Sequence, residues 1–251
     1  FSMNFPTVYR QPLAYDDFYG TIQIRWDDKA VRLSSGLVQA AAEEGPVRVL
    51  FGLSVPLAES PTGVEMDLLV GLEDTRPVHR GKYLPYILDA GLLGWLERSI
   101  GAGEIAQGGF LWRGSLLPGA AQLHTVQLFF NIEDTALDYH PDWPALAAVD
   151  GTVLIDDSNV SVWAASAELL DSRVRDLGVE VWHDPAGLLL AVQGHIMGPA
   201  GDGLAAINDS PLGAASGGVF SRWTVSGDLD TDLSLRLNLS DSSDPPVVDL
   251  K

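Results

Sequence analysis

Five histidines, His79, His124, His140, His183 and His195, are the first side chains to examine for proton transfer or metal binding. No two stand four apart, so no pair would project from one face of a helix toward a shared ion. Only His140 with Asp142 and His183 with Asp184 set an imidazole near a carboxylate along the chain. A zinc site needs three or four converging ligands, and the spacing offers none, which predicts surface or structural histidines. The chain has no cysteine, which excludes disulfides, thiolate metal sites and a thiol nucleophile. Asp228-Leu229-Asp230-Thr231-Asp232 opens like a calcium loop. It then carries Leu233 where the loop needs glycine and Leu239 where it needs glutamate. The three aspartates are expected instead on the wet side of a strand. Gly101-Ala102-Gly103-Glu104-Ile105-Ala106 follows a predicted helix, whereas a dinucleotide fingerprint follows a strand. There is no G-x-S-x-G elbow and no phosphate-binding loop. These readings predict no catalytic residue, no metal and no cofactor, and point to a binding protein.

Composition narrows what could be bound. The formal net charge is −19, while 46% of the 251 residues are aliphatic or aromatic. Such an acidic surface repels phosphate backbones and anionic membrane surfaces, so nucleic acid is not an expected partner. The apolar residues must be gathered inside something. No run of about 18 apolar residues is present to cross a bilayer as a helix, and Phe1-Ser2-Met3 does not read as a signal peptide.

The elements that would gather them are strands. Val126, Leu128, Phe130 and Ile132 alternate with Gln127, Phe129, Asn131 and Glu133. Val47 to Val55, Val64 to Val70 and Leu229 to Leu239 show the same period of two, the mark of antiparallel strands with one apolar face. Trp26-Asp27-Asp28-Lys29 and Asp156-Asp157-Ser158-Asn159 have turn chemistry at hairpin distance. Helical spacing is confined to Leu84–Ile100, where Leu88, Leu92, Trp95 and Leu96 recur before Gly101, and to Asp202–Asn208. Seven tryptophans, dispersed along the chain, are expected in core packing and at sheet edges.

The chain also echoes itself. Gly20-Thr21-Ile22-Gln23-Ile24, an acidic turn and Ala30-Val31-Arg32-Leu33 match Gly151-Thr152-Val153-Leu154-Ile155, an acidic turn and Val160-Ser161-Val162, about 130 positions on. Gly103-Glu104-Ile105 and Gly227-Asp228-Leu229 open later strands in each half. Convergent hairpin patterning would produce a similar echo; a duplication would suit a module that stacks on its own kind. The division expected is a lead-in over residues 1–12, a β module over 13–135 with helix 84–100, a second over 136–240 with helix 202–208, and a tail over 241–251.

One order of landmarks is more specific. Tyr83-Leu84-Pro85, Gly94-Trp95-Leu96, Gly109-Phe110-Leu111-Trp112-Arg113-Gly114-Ser115, Pro141-Asp142-Trp143-Pro144, Val149-Asp150-Gly151-Thr152 and Val160-Ser161-Val162-Trp163 follow one another. That order resembles the periplasmic region of the YhdP branch of the AsmA-like superfamily, inner-membrane-anchored envelope proteins of Gram-negative bacteria. The resemblance implies a mainly β fold: a curved, twisted, largely antiparallel sheet forming a groove or half-barrel from repeated modules, with one or two short helices. It implies a hydrophobic groove for phospholipid moving between the inner and outer membranes, in the periplasm, with the transmembrane anchor outside this segment. The partners it implies are phospholipid acyl chains, further modules of the same chain and other envelope proteins. The strand alternation then nominates Leu128, Phe130, Val153, Ile155, Val160, Val162, Leu190 and Val192 as groove-facing. Two other readings fit the alternation: a structural envelope module with a filled interior, and a β-sandwich that binds carbohydrate.

Overall fold

A computed structural model describes residues 2–3, 12–42, 45–77, 90–240 and 245–251. Among the described residues the chain is mostly strand, with three short α-helices. Strands β1 (Ser2–Met3) and β2 (Leu13–Ala14) pair with each other. The remaining 14 strands form one open antiparallel sheet. In chain order they are β3 (Asp17–Tyr19), β4 (Ile22–Trp26), β5 (Ala30–Ser35), β6 (Val38–Ala42), β7 (Gly45–Pro56), β8 (Glu65–Thr75) and β9 (Glu104–Ser115). There follow β10 (His124–Leu137), β11 (Leu146–Asp156), β12 (Asn159–Leu169), β13 (Ser172–Asp184), β14 (Gly187–Pro199), β15 (Asp228–Asn238) and β16 (Val247–Leu250). From β7 to β16 every strand pairs with its neighbours in sequence, and beyond β7 the sheet divides into β5–β4 and β6–β3. The mainly β, antiparallel expectation holds.

The two predicted hairpins are present. β4 ends at Trp26 and β5 starts at Ala30; β11 ends at Asp156 and β12 starts at Asn159. In the first turn Asp27 accepts from the Lys29 and Ala30 N–H groups at 2.8 and 2.9 Å and from Arg32 at 2.6 Å. These donors, Arg32 foremost, hold its carboxyl well below the usual carboxylate range. In the second turn Asp157 takes the left-handed conformation, φ 52°, which aspartate tolerates better than most residues.

Helix α1 runs Ala90–Ser99. The first part of the helix predicted over Leu84–Ile100 lies outside the described residues; its end agrees, except that Ile100 has left the helix and bridges Leu137. Trp95 donates to the Tyr139 carbonyl at 3.0 Å, and Leu96, Ser99 and Ile100 are buried. The second predicted helix is longer, α2 over Ala200–Asn208, and is followed by α3 over Pro211–Ala215. Asp202 in its first turn accepts from the Ser172 hydroxyl (2.8 Å) and the Asp171 N–H (2.9 Å), which pins α2 to the β12–β13 turn. After each helical segment the chain re-enters the sheet through a glycine at positive φ, Gly103 (141°) and Gly227 (106°), where a side chain would be strained.

The described residues fall into two compact units. The first comprises Phe1–Leu93, Ile105–Phe130 and Ile155–Asp157; the second comprises Gly94–Glu104, Asn131–Leu154 and Ser158–Lys251. The first unit's core contains Val38, Val47, Val70, Phe110, Trp112, Leu128 and Ile155. The second unit's core contains Leu96, Ile132, Leu137, Val149, Val153, Val162, Val174 and Leu235.

Asp74, Asp134, Ala148 and Asp176 lie inside strands with φ between 44° and 50°. Around Asp134 and Asp176 two successive residues face solvent, and the β13–β14 register shifts between Arg175 and Gly178. Asp134 and Asp176 mark β-bulges, which bend and further twist a strand. One carboxylate ties two strands to the central one: Asp150 on β11 accepts from the Asp134 N–H at 2.9 Å and from the Ser166 hydroxyl at 3.0 Å.

The tryptophan expectation needs correction. Trp112 is in the core, stacked on His124 with centroids 4.2 Å apart. Trp26, Trp163 and Trp223 are 75%, 48% and 61% exposed. Trp163 fails because its strand parity sends it to the polar face, in one row with Gly178 and Gln193. Trp26, on a terminal strand of the described sheet, is at a sheet edge as expected, whereas Trp223 follows the helical segment, edge-on to Phe220.

Candidate functional site: the apolar sheet faces

Registers in the second unit assign each side chain to a face. Directly paired residues share a face, so Val160 (β12), Val181 (β13), Leu190 (β14) and Leu237 (β15) form one row. The next row is Val162, Val179, Val192, Leu235 and Val248, and a further one contains Gly194, Leu233 and Leu250. Every member is apolar. The opposite face reads Ser161, Glu180, Ala191, Arg236, Val247 and then Trp163, Gly178, Gln193, Ser234, Asp249. One side of this sheet segment is therefore hydrocarbon and the other mixed polar.

Four predicted groove residues, Val160, Val162, Leu190 and Val192, are brought together here in adjacent rows. Val153 joins them through the β11–β12 hairpin. Gly151 lies so close to Trp163 and Ala164 that a Cβ would meet the Trp163 carbonyl oxygen at 2.5 Å, which sets Val153 beside Val162. In the first unit the Asp157 N–H donates to the Val126 carbonyl at 2.8 Å. Leu128 then lies opposite Ile155, and Phe130 shares the Leu128 side of β10.

Burial separates the eight. Val153 and Ile155 are 0% exposed and Leu128 1%, and Phe130 and Val162 are also buried. These five are core. Val160, Leu190 and Val192 are half-buried, as are their partners Val179, Val181 and Leu237. The part of this apolar face left partly open on strands β12 to β15 is thus the Val160–Leu237 row and its neighbours. Val179, Val181, Leu235 and Leu237 were missing from the sequence nomination, although the alternation Val179-Glu180-Val181 and the leucines of β15 carried the signal.

The first unit shows the same arrangement. Ile24, Leu33, Leu53 and Met66 form a row across β4, β5, β7 and β8, and Phe51, Leu68 and Trp112 form another. Leu33, Phe51, Leu53, Met66 and Leu68 are half-buried. The opposite face carries Gln23, Ser34, Gly52, Asp67 and Arg113 in one row, with Arg113 and Asp67 paired at 3.5 Å.

Among the described residues, the acidic strand β15 holds the charged cluster with the most site-like geometry. Asp228, Asp230 and Asp232 are exposed along a single face, as the strand reading of the failed calcium loop requires. His195 on β14 meets Asp232 through Nδ1 at 2.8 Å and Asp230 through Nε2 at 3.1 Å. The hydrogen bond with Asp232 and the charge of Asp230 raise the imidazole pKa against the opposing charge of Arg175. Both ring nitrogens are engaged, which leaves no lone pair to take a proton from a substrate or to bind an ion. The cluster is a cross-strand ion network. His79 lies outside the described residues. Tyr139 is pushed up to about 12, by burial first and then by Asp138, so it is a neutral phenol at physiological pH.

An open antiparallel sheet with one apolar face and one polar face, in each unit, is the architecture of a protein that holds hydrocarbon or stacks against more sheet. The chain belongs to the YhdP protein family, whose model matches residues 1–247. This is a family of cell-envelope proteins and not an enzyme family. No curated protein and no solved structure matches the chain. Among the described residues no helix is long and apolar enough to cross a membrane.

Proposed function

We propose that this chain is a non-enzymatic periplasmic segment of an envelope protein that carries phospholipid between the inner and outer membranes. In this reading the acyl chains lie along the apolar sheet faces. The observation that supports it most directly is the row Val160–Val181–Leu190–Leu237, uniformly apolar across four strands and half-open. Each methylene moved from water onto such a face gains about 0.8 kcal/mol. A run of interchangeable aliphatic residues gives neighbouring sites similar affinity, so a chain slides without a deep trap. The headgroup stays in water, where the negative surface offers it no binding site. The fully buried members, Leu128, Phe130, Val153, Ile155 and Val162, hold the sheet together beneath this surface. A purely structural module draws its support from those same five residues.

A photo-reactive amino acid at position 181, 190 or 237, in protein made in its envelope, separates the two readings. Phospholipid adducts by mass spectrometry are expected there and not at the opposite-face positions 180 and 193. An adduct-free result at all three apolar positions leaves the structural module standing.

A further inference from the structure

Trp163 is an exposed tryptophan in the middle of the sheet, on the polar face of the second unit. Its row differs in chemistry from the rows beside it. Across β11 to β15 it reads Thr152, Trp163, Gly178, Gln193 and Ser234, with Thr152 set opposite Trp163 by the two-residue turn between β11 and β12. None of the five carries a charge. Glu180 and Arg236 stand in the row on one side, and Arg175, His195 and Asp232 in the row on the other. All five strands are interior, each paired on both sides within the chain.

Gly178 opens a recess in that row. It pairs with Trp163 on one side and Gln193 on the other, so for the width of one strand no side chain is rooted between them. Two strand spacings separate their backbones, about 10 Å. The Gln193 side chain reaches into the recess: a Cβ on Gly178 would meet its Cγ and its Nε2, each at 3.2 Å. The amide therefore lies over β13, one strand from the indole. Among the described residues, neither Gln193 nor Trp163 commits its side-chain polar atoms to another residue. On the far side of Trp163 the Thr152 hydroxyl donates to Asn131 Oδ1 at 2.8 Å, which leaves the Thr152 oxygen as an acceptor.

The faces of an indole ring are negative and attract C–H groups polarised by neighbouring oxygens. A primary amide offers donor and acceptor together. A pyranose ring presents both partners at once, polarised C–H bonds on its face and hydroxyls around its rim. Acidic sugars are disfavoured by the net charge of −19, and an acyl chain has no polar group for Gln193. We propose that this recess binds an uncharged glycan, with one sugar ring on Trp163 and its hydroxyl or acetamido groups bonded to the Gln193 amide. Thr152 and Ser234 receive the rings on either side. The site lies on the face opposite the apolar rows and needs no lipid, so it stands or falls apart from the transport reading.

The seven tryptophans give seven indole N–H signals in a nitrogen-15 magnetic resonance spectrum, and Trp163→Phe identifies the one from Trp163. Chitotetraose and cellotetraose, two uncharged β-linked tetrasaccharides with and without acetamido groups, are the probes. A shallow site of this size binds weakly, with Kd on the order of 1 mM. The Trp163 signal is expected to move saturably with at least one probe, and Gln193→Ala is expected to raise Kd several-fold. Both variants are at exposed positions and are expected to keep the far-ultraviolet circular dichroism. Trp26 and Trp223 are more exposed than Trp163 and serve as internal controls for unspecific stacking. No saturable movement of the Trp163 signal with either probe, equal movement of the Trp26 and Trp223 signals, or an affinity unchanged by Gln193→Ala overturns the proposal.

Discussion

At the scale of single residues, charge on this protein is spent on the polar face, and His195 shows how. Its ring sits between Asp230 and Asp232 on neighbouring β15 and is about one-third exposed. The folded protein stabilises the imidazolium, so the folded pKa stands above the ordinary 6.5. The stability this adds is complete below about pH 6.5 and is lost as pH rises through the higher folded value. A nuclear magnetic resonance titration is expected to place the His195 midpoint above 6.5, and Asp232→Asn is expected to bring it back toward that value. A midpoint at or below 6.5 in the unaltered protein would show that the two carboxylates do not hold it. The Asp150 carboxylate acts differently: it fills the hydrogen bonds of the Asp134 amide and the Ser166 hydroxyl, beside the bulge of β10. Aspartate at three of the four non-glycine positions of positive φ inside strands suits a conformation most side chains avoid.

At the scale of elements, burial assigns different tasks to residues that share a strand face. Val153 is fully buried and Val181 half-buried, although both point to the apolar side of the second unit. Val153→Asp places an unpaired carboxylate in hydrocarbon, so unfolding in urea is expected to shift by roughly 3 kcal/mol or more. Val181→Asp is expected to keep the cooperative transition and lose lipid adducts from the row. Equal loss of stability in both variants would mean that the row is closed core. The alternation of Leu128, Phe130, Val160, Val162, Leu190 and Val192 made the apolar face legible in the sequence, because a period of two fixes the side of a strand. Depth was not legible: Val160 and Val162 look alike in sequence, yet the first is half-buried and the second buried. Nothing local records how far a face is overlaid by neighbouring strands. The hairpin turns and the end of α1 were read correctly because Asp27, Asp157 and Gly101 act within a few residues. The bulges at Asp134 and Asp176 were missed, since one added residue leaves the polar-apolar alternation almost unchanged on either side.

At the scale of the whole molecule, a formal charge of −19 makes self-repulsion a standing cost to the folded state. The ion pairs Arg32–Asp27, Arg48–Glu73 and Arg113–Asp67 are exposed and contribute little individually. Added sodium chloride is therefore expected to raise the midpoint of thermal unfolding, as screening weakens repulsion more than it weakens those pairs. A midpoint that falls with salt would assign the ion pairs the larger share. The strand order has a consequence for how the chain reaches its fold. From β7 to β16 each strand's partners are the ones just before and just after it in sequence. Apart from the two helix-bearing connections, 76–103 and 200–227, consecutive strands from β7 onward are joined by short turns and loops, so loop-closure entropy is small at those steps. A nascent chain emerging from its N-terminus can add hairpin upon hairpin to a growing edge, burying each strand's apolar side as it arrives. Lengthening such a protein by another six strands leaves the difficulty of each folding step unchanged.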